Sequence, residues 1–143
     1  MACLTLSVLF EFSASHRLCK PELSDAENEK LFGKCANKNG HGHNYTLEVR
    51  AGGAVNPSTG MIVDASELKA LVEEVVIRDV DHRDLNRDTP WMEGRMPTTE
   101  VLAQTIFDRL SDALPRRVPS AYIDSITLQE TRRISVTVTR SRP

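Results

Sequence analysis

The sequence predicts an α+β domain in which a four-stranded antiparallel sheet carries two helices on one face. Four segments alternate apolar and polar residues with a period of two, as strands with one buried face do. Two segments between the second and third strands repeat apolar residues at helical spacing instead. The resulting order, ββααββ, favours an antiparallel sheet with both helices on the same side. No repeat or linker interrupts residues 1–143, so we predict a single domain.

The first two strands are predicted from their alternation. Leu4 to Leu18 is apolar at its even positions, and His16 occupies one of them, so its side chain is expected to point inward. A second strand is predicted from about His41 to Arg50. Its apolar face is expected to carry His41, His43, Tyr45, Leu47 and Val49. All three histidines are therefore predicted on buried strand faces.

The middle of the chain predicts a loop and then a helix. Lys20 to Lys34 is polar without usable periodicity, which favours a loop that could include a helical turn. After the turn segment AGGAVNPSTG, Asp64 or Ser66 can cap a helix, and Asp64 with Glu67 resembles a capping box. The apolar stripe of this helix is Leu68, Leu71, Val72, Val75 and Val76.

A second helix and two closing strands follow a polar, irregular segment. The helix is predicted to begin at Thr98 and to end at Pro115. The strands are predicted at about Tyr122 to Thr131 and Ile134 to Arg140. A sheet this small has unpaired edges, and pairing with other copies of the chain would cover them. We therefore expect a homo-oligomer.

Composition excludes several classes of protein. The formal net charge is -2, which provides no basic field to hold nucleic acid or an anionic membrane. The opening MACLTLSVLFEF has no basic start and contains Glu11, so it fits neither a signal peptide nor a spanning helix. Cys3, Cys19 and Cys35 are an odd number without a CxxC spacing, which favours free thiols over a disulfide framework. A cytosolic location is expected.

Three of the four histidines form a candidate metal site. His41 and His43 share one strand face, so both imidazoles can reach one point, and His16 comes inward from the neighbouring strand. Three neutral imidazoles with an open fourth position are a common catalytic zinc shell. A lone inward histidine is more often a hydrogen-bonded core residue. Three unpaired imidazoles in one core would be costly to desolvate, however, so the metal interpretation is preferred.

Cys35 precedes the paired histidines in a loop that also contains Lys34 and Lys38. Nearby cations and a metal ion favour the thiolate, which could act as a base beside the metal. Two alternatives stay open on the residues alone. Cys35 could be a small buried hydrophobe, as expected for the other cysteines, or a metal ligand that would close the site.

Two further polar features also have structural alternatives. Asp81 and His82 could form an orienting carboxylate–imidazole pair or an ordinary exposed loop pair. Glu130 lies on the apolar face of the third strand, where an unpaired carboxylate is costly. It could bind a ligand edge with two N–H donors, or form a salt bridge with Arg132 or Arg133.

Several motifs occur in one order along nearly the whole chain. They are FSASHRL, Cys35 with five residues before HGHNY, TGMIVDASELK, VDHRDLN, PTTE and LQET. Together they resemble the 6-pyruvoyl-tetrahydropterin synthase family, and the Cys-x5-His-x-His element with an upstream histidine is the most specific of them. The resemblance implies the tunnelling fold, in which trimerising subunits join their sheets into a barrel and two trimers stack into a hexamer.

The resemblance also implies an activity and a set of site residues. The reaction is the conversion of 7,8-dihydroneopterin triphosphate to 6-pyruvoyl-tetrahydropterin with loss of triphosphate, in tetrahydrobiopterin biosynthesis. The implied zinc ligands are His16, His41 and His43. The implied catalytic residues are Cys35 as the proton-abstracting base, with Asp81 and His82 of an adjacent subunit. The implied pterin-binding residues are Thr98, Thr99, Glu100 and Glu130.

Two rival functions remain possible on the residues alone. 6-Carboxytetrahydropterin synthase of the queuosine pathway is similar in its zinc motif and substrate. In that relative three residues commonly separate the cysteine from HGH, whereas here ANKNG makes five. A rival of another class is a non-catalytic, zinc-stabilised oligomeric binding module, in which the metal serves folding alone.

Overall fold

The computed structural model describes residues 2–142 and has an α+β architecture built on one five-stranded sheet. The strands are β1 Thr5–His16, β2 His41–Gly53, β3 Arg83–Asp84, β4 Ala121–Thr131 and β5 Ile134–Thr139. Their order across the sheet is β3-β1-β2-β4-β5, and all neighbours are antiparallel except β1 and β3. The helices are α1 Asp25–Phe32, α2 Ala65–Val72 with its continuation to Val80, and α3 Thr99–Arg117. The predicted α+β class is confirmed.

The long β1–β2 ladder sets which side chains face the helices. Thr5 pairs with Gly52 at one end of the ladder and His16 pairs with His41 at the other. Even positions of β1 therefore lie beside odd positions of β2, on one face of the sheet. The buried residues on that face include Val8, Phe10, Phe12, Ala14, Tyr45, Leu47, Val49 and Ala51. The predicted alternation of both strands is confirmed.

Helices α2 and α3 cover this apolar face. Asp64 caps α2 by accepting a hydrogen bond from the Ser66 N–H at 2.8 Å, and Thr98 caps α3 by accepting from the Val101 N–H at 3.2 Å. Their fully or nearly fully buried side chains include Leu68, Leu71, Val72, Val76, Leu102, Ile106, Leu110 and Leu114. Each such side chain stabilises the fold by roughly 1.5–3 kcal/mol on burial. No helix within residues 2–142 is long and apolar enough to cross a membrane.

One segment predicted as a loop contains a helix. α1 is capped by Ser24, whose hydroxyl accepts from the Glu27 N–H at 3.1 Å, while the Glu27 carboxylate accepts from the Ser24 N–H at 2.8 Å. This reciprocal capping box stabilises a short helix without an apolar stripe. Asn28 is its buried residue. Apolar periodicity therefore gave no signal here, although the Ser-x-x-Glu spacing did.

Three other details differ from the prediction. α3 continues to Arg117 instead of ending at Pro115. A proline this close to the end of a helix removes only one backbone hydrogen bond, to the Ser111 carbonyl, so the helix tolerates it. α2 passes through a π-helical turn at Glu73–Ile77 and ends with Arg78–Val80. The two-residue strand β3, inside a segment predicted as irregular, pairs parallel with β1. A strand this short has no readable periodicity.

Candidate metal centre

The three histidines predicted as metal ligands meet at one end of the β1–β2 ladder. His16 Nε2 lies 3.3 Å from His41 Nε2, and the ligand atoms of His16, His41 and His43 all lie within 4.8 Å of one another. The ring centroids are 4.7–5.1 Å apart. Two ligands of a tetrahedral zinc ion at 2.0–2.1 Å are separated by about 3.3–3.4 Å. The His16–His41 spacing matches that value.

The backbone fixes the ring orientation of His16. This side chain is 1% exposed, and its Nδ1 lies 2.8 Å from the carbonyl oxygen of Pro97. A carbonyl can only accept, so Nδ1 carries the proton and donates, which leaves the lone pair on Nε2 facing the other two rings. Histidines that bind a metal through one ring nitrogen typically donate a hydrogen bond of this kind from the other.

The charge state of the other two rings also suits a metal. Burial lowers the pKa of His41, and the neighbouring His16 lowers it further. Burial outweighs the opposing effect of Glu130 and lowers the pKa of His43 as well. Both rings are therefore neutral at pH 7, with lone pairs available. His43 Nε2 is buried without a hydrogen-bond partner, and a bound ion would satisfy it. The residues present fit a divalent ion such as zinc.

Gly40 allows the strand that carries His41 and His43 to start close to His16. Its φ is +67°, and a Cβ atom there would lie 2.7 Å from the His16 carbonyl oxygen. We expect Gly40→Ala to lower the free energy of unfolding by about 2–4 kcal/mol, because the left-handed conformation alone costs roughly 1–2 kcal/mol. Zinc affinity is expected to fall too, since relief of the clash moves His41 or His16.

Gly60→Ala is the matched control for this prediction. Gly60 has a φ of +73°, but a Cβ atom there would meet nothing within 4 Å, so this position reports the backbone cost alone. Urea denaturation and zinc titration of both variants make the comparison. Equal losses of stability at Gly40 and Gly60, with zinc affinity unchanged in both, would show that close approach at Gly40 has no role in the site.

Cys35 is half-buried in a 3₁₀ turn, Gly33–Ala36, that is attached to the end of β1. Its carbonyl oxygen accepts a hydrogen bond from the Leu18 N–H at 2.7 Å, two residues beyond His16. Burial raises the pKa of the Cys35 thiol, and the negative charge of Glu130 raises it further. The expected effect of Lys34 and Lys38 is therefore outweighed in the protein alone. A cation held by the histidines would act in the opposite direction and favour the thiolate.

Glu130 lies beside the histidine cluster and not beside an arginine. Its Oε1 is 3.4 Å from His43 Nε2 and 3.7 Å from His16 Nε2, with its side chain 15% exposed. Within residues 2–142, neither Arg132 nor Arg133 forms an ion pair with it. Glu130 lies two residues after Leu128 on β4, so strand alternation places both side chains on the face that carries the histidines. The salt-bridge alternative to those arginines is therefore wrong in this chain.

Asp81 and His82 form a pair, but at a different place. His82 Nδ1 lies 2.9 Å from Asp81 Oδ1, which also accepts the Ser13 N–H at 3.0 Å. That N–H, and then His82, lower the pKa of Asp81. His82 has a φ of 58° and a side chain that is 82% exposed. Among the described residues, no hydrogen bond or ion pair joins this pair to the three-histidine cluster.

The Thr98–Glu100 segment directly follows Pro97, which contacts the metal centre. Pro97 supplies the carbonyl that holds His16, and Thr98 then caps α3. Thr99 is buried and Glu100 is exposed. Sequence reasoning did not assign the Pro97 contact, because a backbone carbonyl carries no residue-type signal.

Tyr45 is a site neighbour to which sequence reasoning gave no role. Its ring stacks on Phe12 with centroids 4.9 Å apart and meets His43 edge-on at 5.7 Å. Burial, and then the charges of Glu130 and Cys35, raise its pKa above the usual range. Alternation in the HGHNY motif puts Tyr45 on the same strand face as His41 and His43, and this was the one sequence signal that Tyr45 lies near the site.

Comparison with known proteins supports one group of enzymes. A family model described as 6-pyruvoyl tetrahydropterin synthase matches residues 5–141. Human 6-pyruvoyl tetrahydrobiopterin synthase is 48% identical over 104 residues, which is 73% of this chain and 72% of that protein. The solved structure of Caenorhabditis elegans 6-pyruvoyl tetrahydropterin synthase superposes with a TM-score of 0.86 at 37% identity, covering 99% of this chain and 98% of that one. Bacillus subtilis 6-carboxy-5,6,7,8-tetrahydropterin synthase is 33% identical over 88 residues, 60% of this chain and 52% of that protein.

Proposed function

The chain belongs to the 6-pyruvoyl tetrahydropterin synthase family of enzymes, and we propose that it converts 7,8-dihydroneopterin triphosphate to 6-pyruvoyl-tetrahydropterin with loss of triphosphate, in tetrahydrobiopterin biosynthesis. The family membership confirms the resemblance drawn from the motifs. The observation that carries the reaction proposal is the meeting of three imidazoles beside Glu130 and the Cys35 turn. The similarity to the human protein is greater and longer than that to the carboxy-forming relative.

The proposed roles follow from the chemistry of each side chain. Zinc, held by His16, His41 and His43, would act as a Lewis acid that acidifies the C–H bonds beside the substrate's side-chain oxygens. Glu130 accepts N–H groups of the pterin ring and so fixes its position. Cys35, as thiolate, removes a proton from the substrate side chain. Thr98, Thr99 and Glu100 are proposed as a second pterin-contacting segment.

Asp81 and His82 are proposed to serve the site of an adjacent subunit. Asp81 holds the Nδ1 proton of His82, so Nε2 is the atom that can return a proton to the substrate carbon. The high exposure of His82 in the single chain is compatible with use by a neighbour. Tautomerisation then moves electrons from the side chain into the ring, so no external hydride donor is needed.

The assembly proposed with this function is a homohexamer of two stacked trimers. In the described chain β3 and β5 are the outermost strands of the sheet, so their outer edges are available for pairing with other subunits. A single domain over residues 1–143 and a cytosolic location belong to the same proposal.

Product analysis of the zinc-loaded protein tests the proposal. Incubation with 7,8-dihydroneopterin triphosphate is expected to release inorganic triphosphate and give 6-pyruvoyl-tetrahydropterin. Acetaldehyde and a carboxylated pterin would instead assign the carboxy-forming activity. No turnover together with a protein that melts on metal removal would favour the non-catalytic module.

A further inference from the structure

Buried polar atoms without partners are concentrated in one motif. Within residues 2–142 four buried side-chain atoms lack a hydrogen-bond partner, and three of them belong to HGHNY: His41 Nδ1, His43 Nε2 and Tyr45 Oη. Native proteins pair nearly all such atoms, so a cluster of unpaired ones indicates a ligand. A metal ion can use His43 Nε2 and binds His41 through one of its ring nitrogens. Zinc sites are built from histidine, cysteine and carboxylate ligands, so the Tyr45 hydroxyl needs another partner.

The hydroxyl of Tyr45 has a well-defined position. The side chain is 1% exposed, and stacking on Phe12 with an interplanar angle of 13° holds the ring. Thr46 pairs with Gln129 in the β2–β4 ladder, so Tyr45 lies one step from that pair, beside Glu130. Both side chains share the face that carries His16 and His43. A hydroxyl donor and a carboxylate acceptor therefore lie on adjacent strands and on the same face of the sheet as the metal centre.

A pterin ring edge has the matching pattern of polar groups. Its ring N–H lies directly beside its ring carbonyl, so one edge offers a donor and an acceptor side by side. A carboxylate can accept only from the N–H, whereas a tyrosine hydroxyl can donate to the carbonyl. Phenols are protonated at neutral pH, which keeps Tyr45 available as a donor.

We infer that Tyr45 is a substrate-binding residue, whose hydroxyl donates a hydrogen bond to the ring carbonyl of the pterin that Glu130 holds by its N–H groups. This inference rests on the proposed function for the nature of the ligand. It gives the HGHNY motif a second role, because two of its residues bind the metal and the third reads the substrate ring.

A purely structural role for Tyr45 predicts a different outcome from a binding role. If the hydroxyl stabilised the free protein, Tyr45→Phe would lower the melting temperature. An unpartnered buried hydroxyl instead destabilises the free protein, so Tyr45→Phe is expected to leave the melting temperature unchanged or raise it. Phenylalanine keeps the stacking on Phe12 and the contact with His43.

The experiment compares Tyr45→Phe with Tyr122→Phe. Tyr122, the other tyrosine of the chain, is 37% exposed and lies under the Arg140 guanidinium, near the opposite end of the sheet. Zinc content, melting temperature, neopterin affinity by fluorescence, and turnover of 7,8-dihydroneopterin triphosphate are measured for both variants. We expect Tyr45→Phe to weaken neopterin binding and lower kcat/KM by about tenfold each, with zinc content intact. Tyr122→Phe is expected to behave like the wild type.

Two results would overturn the inference. One is unchanged neopterin affinity in Tyr45→Phe. The other is weaker binding together with a lower melting temperature and loss of zinc, which would make Tyr45 a structural residue. A wild-type protein that binds neopterin but forms no product would contradict the proposed reaction alone, and the variant's neopterin affinity would still decide the role of Tyr45. A wild type that does not bind neopterin would contradict both.

Discussion

Cys35→Ser is expected to lower kcat/KM by about 10²–10⁴-fold, the range that a general base contributes. Serine keeps the size of the side chain in the 3₁₀ turn but cannot supply a thiolate at neutral pH. The Leu18 N–H donates to the backbone carbonyl of residue 35, which the substitution retains. We therefore expect the melting temperature and the zinc content to stay at their wild-type values. Steady-state kinetics with zinc-loaded protein measures the effect.

The pH dependence of this variant separates base catalysis from packing. In the protein alone, burial and Glu130 raise the pKa of Cys35, so fewer thiolates are present at neutral pH. The active form is the deprotonated one, so kcat/KM of the wild type should rise with pH through the Cys35 ionisation. That acidic limb should vanish in Cys35→Ser. A variant that keeps both the limb and its activity would remove Cys35 from the mechanism.

His41→Ala is expected to abolish stoichiometric zinc binding and to reduce turnover below detection. The substitution leaves two imidazoles, and a ligand removed from a three-histidine site cannot be replaced by the backbone. Of the three rings, His16 is buried and bonded to Pro97, so its loss would also disturb packing. His41 is less buried, and its replacement is the cleaner test. Elemental analysis and kinetics on the folded variant make the measurement.

His82→Ala is the control for metal content, because His82 is the histidine outside the cluster. The His82→Ala variant is expected to bind one zinc ion per chain. Its turnover should fall if His82 returns a proton to the substrate in the wild type. Full zinc occupancy in His41→Ala, or equal zinc loss in both variants, would contradict the ligand assignment.

The elements with a periodic residue pattern or a recognisable helix cap could be predicted from the sequence. The even positions of β1 and the odd positions of β2 specify one buried face, and Asp64 and Thr98 mark two helix starts by residue type. Features of a few residues could not be predicted in this way. β3 has two residues, and the helix around Asn28 has a capping box but no apolar stripe. Local hydrogen bonds and pairing with β1 determine these elements.

In the site, too, the features with a residue pattern could be predicted and those set by long-range contacts could not. Parity placed His16, His41 and His43 on one face, and the antiparallel register then brought His16 opposite His41. Alternation also placed Glu130 on this face, but the Pro97 carbonyl that holds His16 has no side-chain signal. The pKa of Cys35 also differs from expectation, because burial in the complete fold raises it and Glu130, almost a hundred residues away in sequence, raises it further. Long-range contacts of this kind follow from the complete fold.

Anomalous diffraction at the zinc absorption edge, from crystals of the zinc-loaded protein, tests whether the three histidines hold one zinc ion. We expect one ion per chain, bonded to a ring nitrogen of His16, His41 and His43 at about 2.0–2.1 Å, with its remaining position open to water or substrate. An ion bound elsewhere, or a cluster of three imidazoles without bound metal in active protein, would contradict this expectation.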